Sequence, residues 1–160
     1  MNVSELTEER SRLEQEAATI LGYMLFEYTR LDMELGLFLV WFDGGQNSDE
    51  LTKAVGKNNF NKRLEHLENT VRNEGEDPST RDIYSKWLAD AHVVRTLRNQ
   101  LFHGRWGIIP HKHQVANVVG LPTSSEQYET RYSIKQLEEQ LQSIRELRNR
   151  LNEIRDTRPI

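Results

Sequence analysis

The chain has 160 residues, a hydrophobic fraction of 36%, no cysteine and a formal charge of -4, with a mean hydropathy of -0.74. One domain of this length can bury a real core, but no apolar run reaches the roughly 18 residues of a membrane span, and disulfides and thiolate chemistry are excluded. The acidic, polar start (residues 1–16) reads as neither a signal nor a transit peptide, so a cytoplasmic location is the expectation.

In chain order, Ala17, Leu21, Met24, Tyr28, Leu31, Leu35, Phe38 and Phe42 recur at spacings of four and three, which predicts a long helix packed lengthwise on others. Ser4 is the expected N-cap, and Gly44-Gly45 the expected stop. Residues 46–57 read as a loop or a short helical piece. A second helix over 59–73 turns Phe60, Leu64, Leu67 and Val71 inward, and the loop Glu74-Gly75-Glu76-Asp77 follows. Pro78 suits the first turn of a third helix ending at His103. That helix carries Ile83, Trp87, Val94, Leu97 and Leu101 on its apolar side, with Gly104 placed to stop it. Residues 105–132 change character: Trp106, Ile108, Ile109, then Val115, Val118, Val119, then Tyr128 and Tyr132, broken by Pro110, Gly120 and Pro122. This predicts a short β-hairpin or ordered loop. Ser133 with Gln136 forms a capping-box pattern, and it opens a last helix bearing Leu137, Leu141, Ile144, Leu147, Leu151 and Ile154. The expected fold is all-α: one domain over 1–160, an up-and-down bundle of about four helices, with the hairpin inserted before the last. The stripes on the first and last helices are longer than a monomer of this size easily hides, which points to a homodimer.

Charge is unevenly placed. Residues 1–90 hold 10 Lys/Arg against 18 Asp/Glu, and residues 126–160 hold seven of each. Residues 91–125 hold Arg95, Arg98, Arg105 and Lys112 with no acid, together with His92, His103, His111 and His113. An acidic chain with one acid-free basic window can bind an anion locally, although helix ends and hairpins also attract Arg and His. At about 100° per residue, His92, Arg95, Asn99 and His103 form one polar strip, whereas Arg98 projects about 140° from His103. An arginine on that side is expensive to bury unless it is paired or faces a cleft.

Arg98, Asn99 and His103 at the C-terminal end of a helix resemble the motif of the HEPN family, in which an Arg and a polar residue precede a His. The resemblance covers the third helix by motif and the remaining chain by general architecture. It implies a homodimeric helical domain, and for many members a metal-independent endoribonuclease of the bacterial toxin or phage-defence kind. In such enzymes Arg and His from two protomers meet in one cleft at the interface, and the product is a 2′,3′-cyclic phosphate. An antitoxin or regulatory partner belongs to the same expectation. The chemistry is coherent in itself: metal-free RNA cleavage needs a base for the 2′-hydroxyl proton and a cation for the phosphate. Histidine titrates near neutrality, and arginine forks two hydrogen bonds to phosphate oxygens. His103 is then the general acid/base, Arg98 the phosphate clamp and Asn99 the group that orients the ring. Arg95 and Arg105 are secondary contacts to the RNA backbone. No cofactor and no metal are called for.

The structural alternative is a His that caps the last helix carbonyls and an Arg98 paired with Glu27, Asp32 or Glu34. The chain would then be a non-catalytic dimerisation or ligand- or partner-binding module. His111 and His113 would share one face of a strand, a spacing seen in metal sites, but no further ligand stands near them in sequence. Trp106 is more often a core plug than a stacking platform.

Overall fold

The computed structural model describes residues 1–74 and 77–160; Gly75 and Glu76 of the expected loop lie outside the described residues. The chain is predominantly helical. Its elements are α1 (Val3–Trp41), α2 (Ser48–Gly56), α3 (Phe60–Glu74), α4 (Pro78–His103), β1 (Arg105–Ile109), a 3-10 turn (Pro110–Lys112), β2 (Gln114–Val119), β3 (Tyr128–Tyr132) and α5 (Ile134–Thr157). Two expectations are corrected. Residues 48–56 form a helix, which makes five among the described residues in place of about four. The hairpin gains a third strand, forming an antiparallel sheet of order β1-β2-β3.

Helix ends follow local chemistry. Asn2, not Ser4, caps α1: its Oδ1 accepts the Glu5 N–H at 2.9 Å while Glu5 Oε2 accepts the Asn2 N–H at 2.8 Å, a reciprocal pair that satisfies two orphan donors. The helix ends at Trp41, whose carbonyl accepts the Gly44 N–H at 3.0 Å, and the turn runs through Gly44 and Gly45, whose φ of 72° and 81° few side chains tolerate. Asn59 Oδ1 accepts the Lys62 N–H and caps α3. Ser133 and Gln136 close the expected box on α5, at 3.1 and 2.8 Å.

The contacts divide the chain into two compact units, Met1–Glu27 with Thr96–Ser143 and Tyr28–Arg95 with Ile144–Ile160. In the second, Leu31, Leu35, Leu64, Leu67, Trp87, Ile144 and Leu151 are fully or almost fully buried, each contributing about 1.5–3 kcal/mol of apolar transfer. Trp87 Nε1 donates to the Leu147 carbonyl at 2.9 Å, and the Tyr84 hydroxyl to the Arg158 carbonyl at 2.8 Å. Burial pushes the Tyr84 hydroxyl up to about 12. The first unit buries Leu13, Ala17, Met24, Leu101, Val115, Tyr132, Leu137 and Leu141, and it contains the whole sheet.

The apolar stripes behave differently from the expectation that led to a dimer. All six residues of the α5 stripe are buried, and of the eight in the first stripe only Leu21 and Phe42, the latter just beyond α1, are half-buried. The chain covers both stripes itself. The apolar side chains it leaves exposed on α1 are others: Val3, Tyr23, Leu25 and Phe26 in the first unit, and Met33, Leu37 and Trp41 in the second.

Candidate functional site

The site is built on the last turns of α4 and the strand that follows. Helix α4 starts at Asp77, whose Oδ2 accepts the Thr80 N–H at 3.2 Å and the Thr80 hydroxyl at 3.0 Å. Those bonds hold the Asp77 carboxyl below its ordinary range, and Pro78 fills the first helical position, where no N–H is needed. At the other end the Gly104 N–H bonds the Gln100 carbonyl at 2.9 Å, and Trp106 Nε1 donates to the Leu101 carbonyl at 3.0 Å. Half-buried Trp106 also packs its ring 6.1 Å from that of Tyr132. It is therefore a plug that satisfies a helix-end carbonyl.

Arg98, Asn99 and His103 are all exposed. Arg98 Nη1 donates to Asn99 Oδ1 at 3.4 Å, and its Cζ lies 5.6 Å from the centre of the Phe102 ring, within cation–π range. Among the described residues no carboxylate is within ion-pair distance of Arg98. The acids offered to it by the sequence are engaged elsewhere or buried. Asp32 pairs with Arg63 at 2.8 Å, Glu34 meets Arg148 at 3.3 Å and Asn152 at 3.1 Å, and Glu27 is buried. Asn99 therefore meets Arg98 and makes no hydrogen bond to His103. Among the described residues His103 has no hydrogen-bond partner, so the ring is open to an incoming group.

The two secondary arginines differ. Arg95 belongs to the second unit; it is half-buried, with its Nε buried and, among the described residues, without a hydrogen-bond partner. Arg105 opens β1, and its guanidinium donates to the Gly120 carbonyl and to Gln127 Oε1, which anchors the β2–β3 connection. The residue is exposed.

His111 and His113 stand in the turn between β1 and β2, not on a strand. His113 has a φ of 54°, and its Nδ1 lies 2.6 Å from Glu9 Oε1; an ionised carboxylate only accepts, so the imidazole N–H donates. Glu9 is also gripped by Arg12 at 2.6 Å, and these two partners, Arg12 first, pull its carboxyl down to about 2. Among the described residues no three metal-ligating side chains converge.

One polar residue near the site escaped the sequence reading. Asn117, in β2, is 2% exposed, and among the described residues its Nδ2 has no hydrogen-bond partner. An orphan donor of this kind costs about 1–3 kcal/mol. The signal was present in the strand: Val115, Asn117 and Val119 share one face by period-two alternation, and an amide interrupts two valines. Comparison with protein-family models, with curated proteins and with solved structures found no match.

Proposed function

We propose that the chain is a metal-independent endoribonuclease of the HEPN type, toxin- or defence-related, whose site is completed by a second copy. The supporting observation is the free presentation of both reagents at the end of α4. Among the described residues, His103 is exposed with no hydrogen-bond partner, and Arg98 is exposed with no acid opposing it. A purely structural pair would be buried or neutralised. The roughly 140° between Arg98 and His103 on one helix makes convergence within a single chain difficult, so the clamp of one copy would serve the base of the other. In this reading the five helices belong to a HEPN-like bundle. His103 takes the 2′-hydroxyl proton, Arg98 holds the phosphate, Asn99 steadies Arg98, and Arg95 and Arg105 add backbone contacts. An antitoxin or other regulatory partner belongs to the same reading.

A second reading has its own support. Met33, Leu37 and Trp41 are each about half exposed, at 54%, 48% and 59%, and an apolar face of that kind serves a dimerisation or partner-binding module without any RNA.

The deciding experiment is cleavage of a mixed RNA pool, with EDTA present, by wild type and His103→Ala in parallel. Cleavage leaving 2′,3′-cyclic phosphate ends, reduced at least a hundredfold in a folded His103→Ala, is the expected result; general acid–base catalysis contributes about 10²–10⁴-fold. No cleavage, or equal cleavage by both proteins, overturns the nuclease and leaves the binding module.

A further inference from the structure

The antiparallel register sets Trp106, Asn117 and Thr130 side by side across the three strands. Residues two apart share a face, so Ile108, Val115 and Tyr132 belong to the same one. Trp106, Val115 and Tyr132 on this face are buried or half-buried, and Asn117 is the polar member that is buried with them. Its seat is set by Gly104: the carboxamide occupies the space that a Cβ on residue 104 would need, with both Nδ2 and Oδ1 in overlap. The amide therefore lies against the residue that follows His103, whose Cα is about 3.8 Å away along the chain.

The end of a helix leaves carbonyls without intrahelical donors. Two in this last stretch of α4 are already served, Gln100 by the Gly104 N–H and Leu101 by the Trp106 indole. The buried Nδ2 of Asn117, without a partner among the described residues, is a third donor brought to the same place by β2.

We propose that Asn117 is the positioning residue of the His103 site: its carboxamide, seated on Gly104, holds the end of α4 and so sets the direction in which the His103 ring leaves the helix. Glycine at 104 is what lets the amide approach, and the pair works as one joint. The consequence for cleavage rests on the nuclease reading; the positioning of the ring does not.

The test follows the His103 ring by NMR through a pH titration, with its signals assigned by their loss in His103→Ala. It is applied to wild type, Asn117→Ala, Asn117→Ser and Gly104→Ala, with RNA cleavage measured on the same samples. In Asn117→Ala the helical circular dichroism is expected to persist. The His103 signal and its titration midpoint move while those of His66 stay, and cleavage falls roughly ten- to a hundredfold, as misplacement of a catalytic group does. Asn117→Ser, which keeps a short donor, recovers part of both. Gly104→Ala, which pushes the amide off its seat, reproduces the Asn117→Ala signature, and it carries the test should Asn117→Ala fail to fold. A His103 signal and midpoint unchanged from wild type in a folded variant overturns the proposal. A wild type that cleaves nothing while its His103 signal still responds to Asn117→Ala overturns the nuclease reading and upholds the joint.

Discussion

His113 adopts a left-handed backbone, φ 54°, that a glycine would occupy at lower cost. Its ring contact with Glu9 gives the side chain a purpose there, joining the β1–β2 turn to the first turns of α1 within one unit. Glu9 has a folded value of about 2 against an ordinary 4.5. A depressed carboxylate stabilises fully above its unfolded value, and that stabilisation is lost as pH falls toward the folded one. Urea unfolding of wild type should therefore weaken between pH 4.5 and 2 more steeply than that of Glu9→Gln, with the two curves converging near the acid end. Parallel curves would show that the contact is inert. The sequence marked His113 by its spacing from His111 but could not show its partner, because Glu9 lies 104 residues away. Arg98 was read more fully: an arginine expected to be costly in a dry core is found at the surface.

At the scale of the element, α4 carries the candidate site because both of its ends are fixed by side chains close in sequence. Replacing Asp77 by Ala removes the acceptor for the Thr80 N–H and hydroxyl. The expected loss is about 1 kcal/mol of unfolding free energy by urea titration, together with fraying of the first turn in amide exchange. No measurable loss would mean that tertiary packing alone defines that end. Such stops and starts were legible in the sequence at Gly44, Pro78, Gly104 and Ser133, since each acts on its immediate neighbours. Ser4 was displaced because Asn2 and Glu5 satisfy two N–H groups together, where Ser4 offered one acceptor. Strand β3 was obscured by its exposure: four of its five residues face solvent, so the alternation that marks a half-buried strand is weak. Its pairing with β2, from Val115↔Tyr132 to Val119↔Tyr128, is decided by the partner strand.

For the molecule as a whole, two surface properties bear on function. The acid-free window 91–125 supplies Arg95, Arg98, Arg105 and Lys112 in a chain of net charge -4. RNA binding confined to that window would neutralise few phosphates and show a shallow salt dependence. The apolar face of α1 sets the second property. Sedimentation or light scattering should report a dimer for the wild type and a monomer for Met33→Glu/Leu37→Glu, with helicity retained. Both side chains are about half exposed, so their replacement costs the isolated chain little. A wild type that is monomeric at high concentration would remove the composite site, and with it the form of the nuclease proposed above.

The sequence by itself determined the four longer helices, most of their ends and the placing of Asn99 and His103 at the end of one of them. These depend on periodicity and on side-chain-to-backbone bonds spanning two to four residues. Tertiary structure alone decided that the α1 and α5 stripes are covered by the chain and that Asp32 and Glu34 serve Arg63, Arg148 and Asn152 rather than Arg98. It alone brought Asn117 from the middle of a strand against Gly104, the residue after His103. Each of these joins residues more than a dozen positions apart, where no local period or propensity relates one side chain to another and only the packed core fixes their distance.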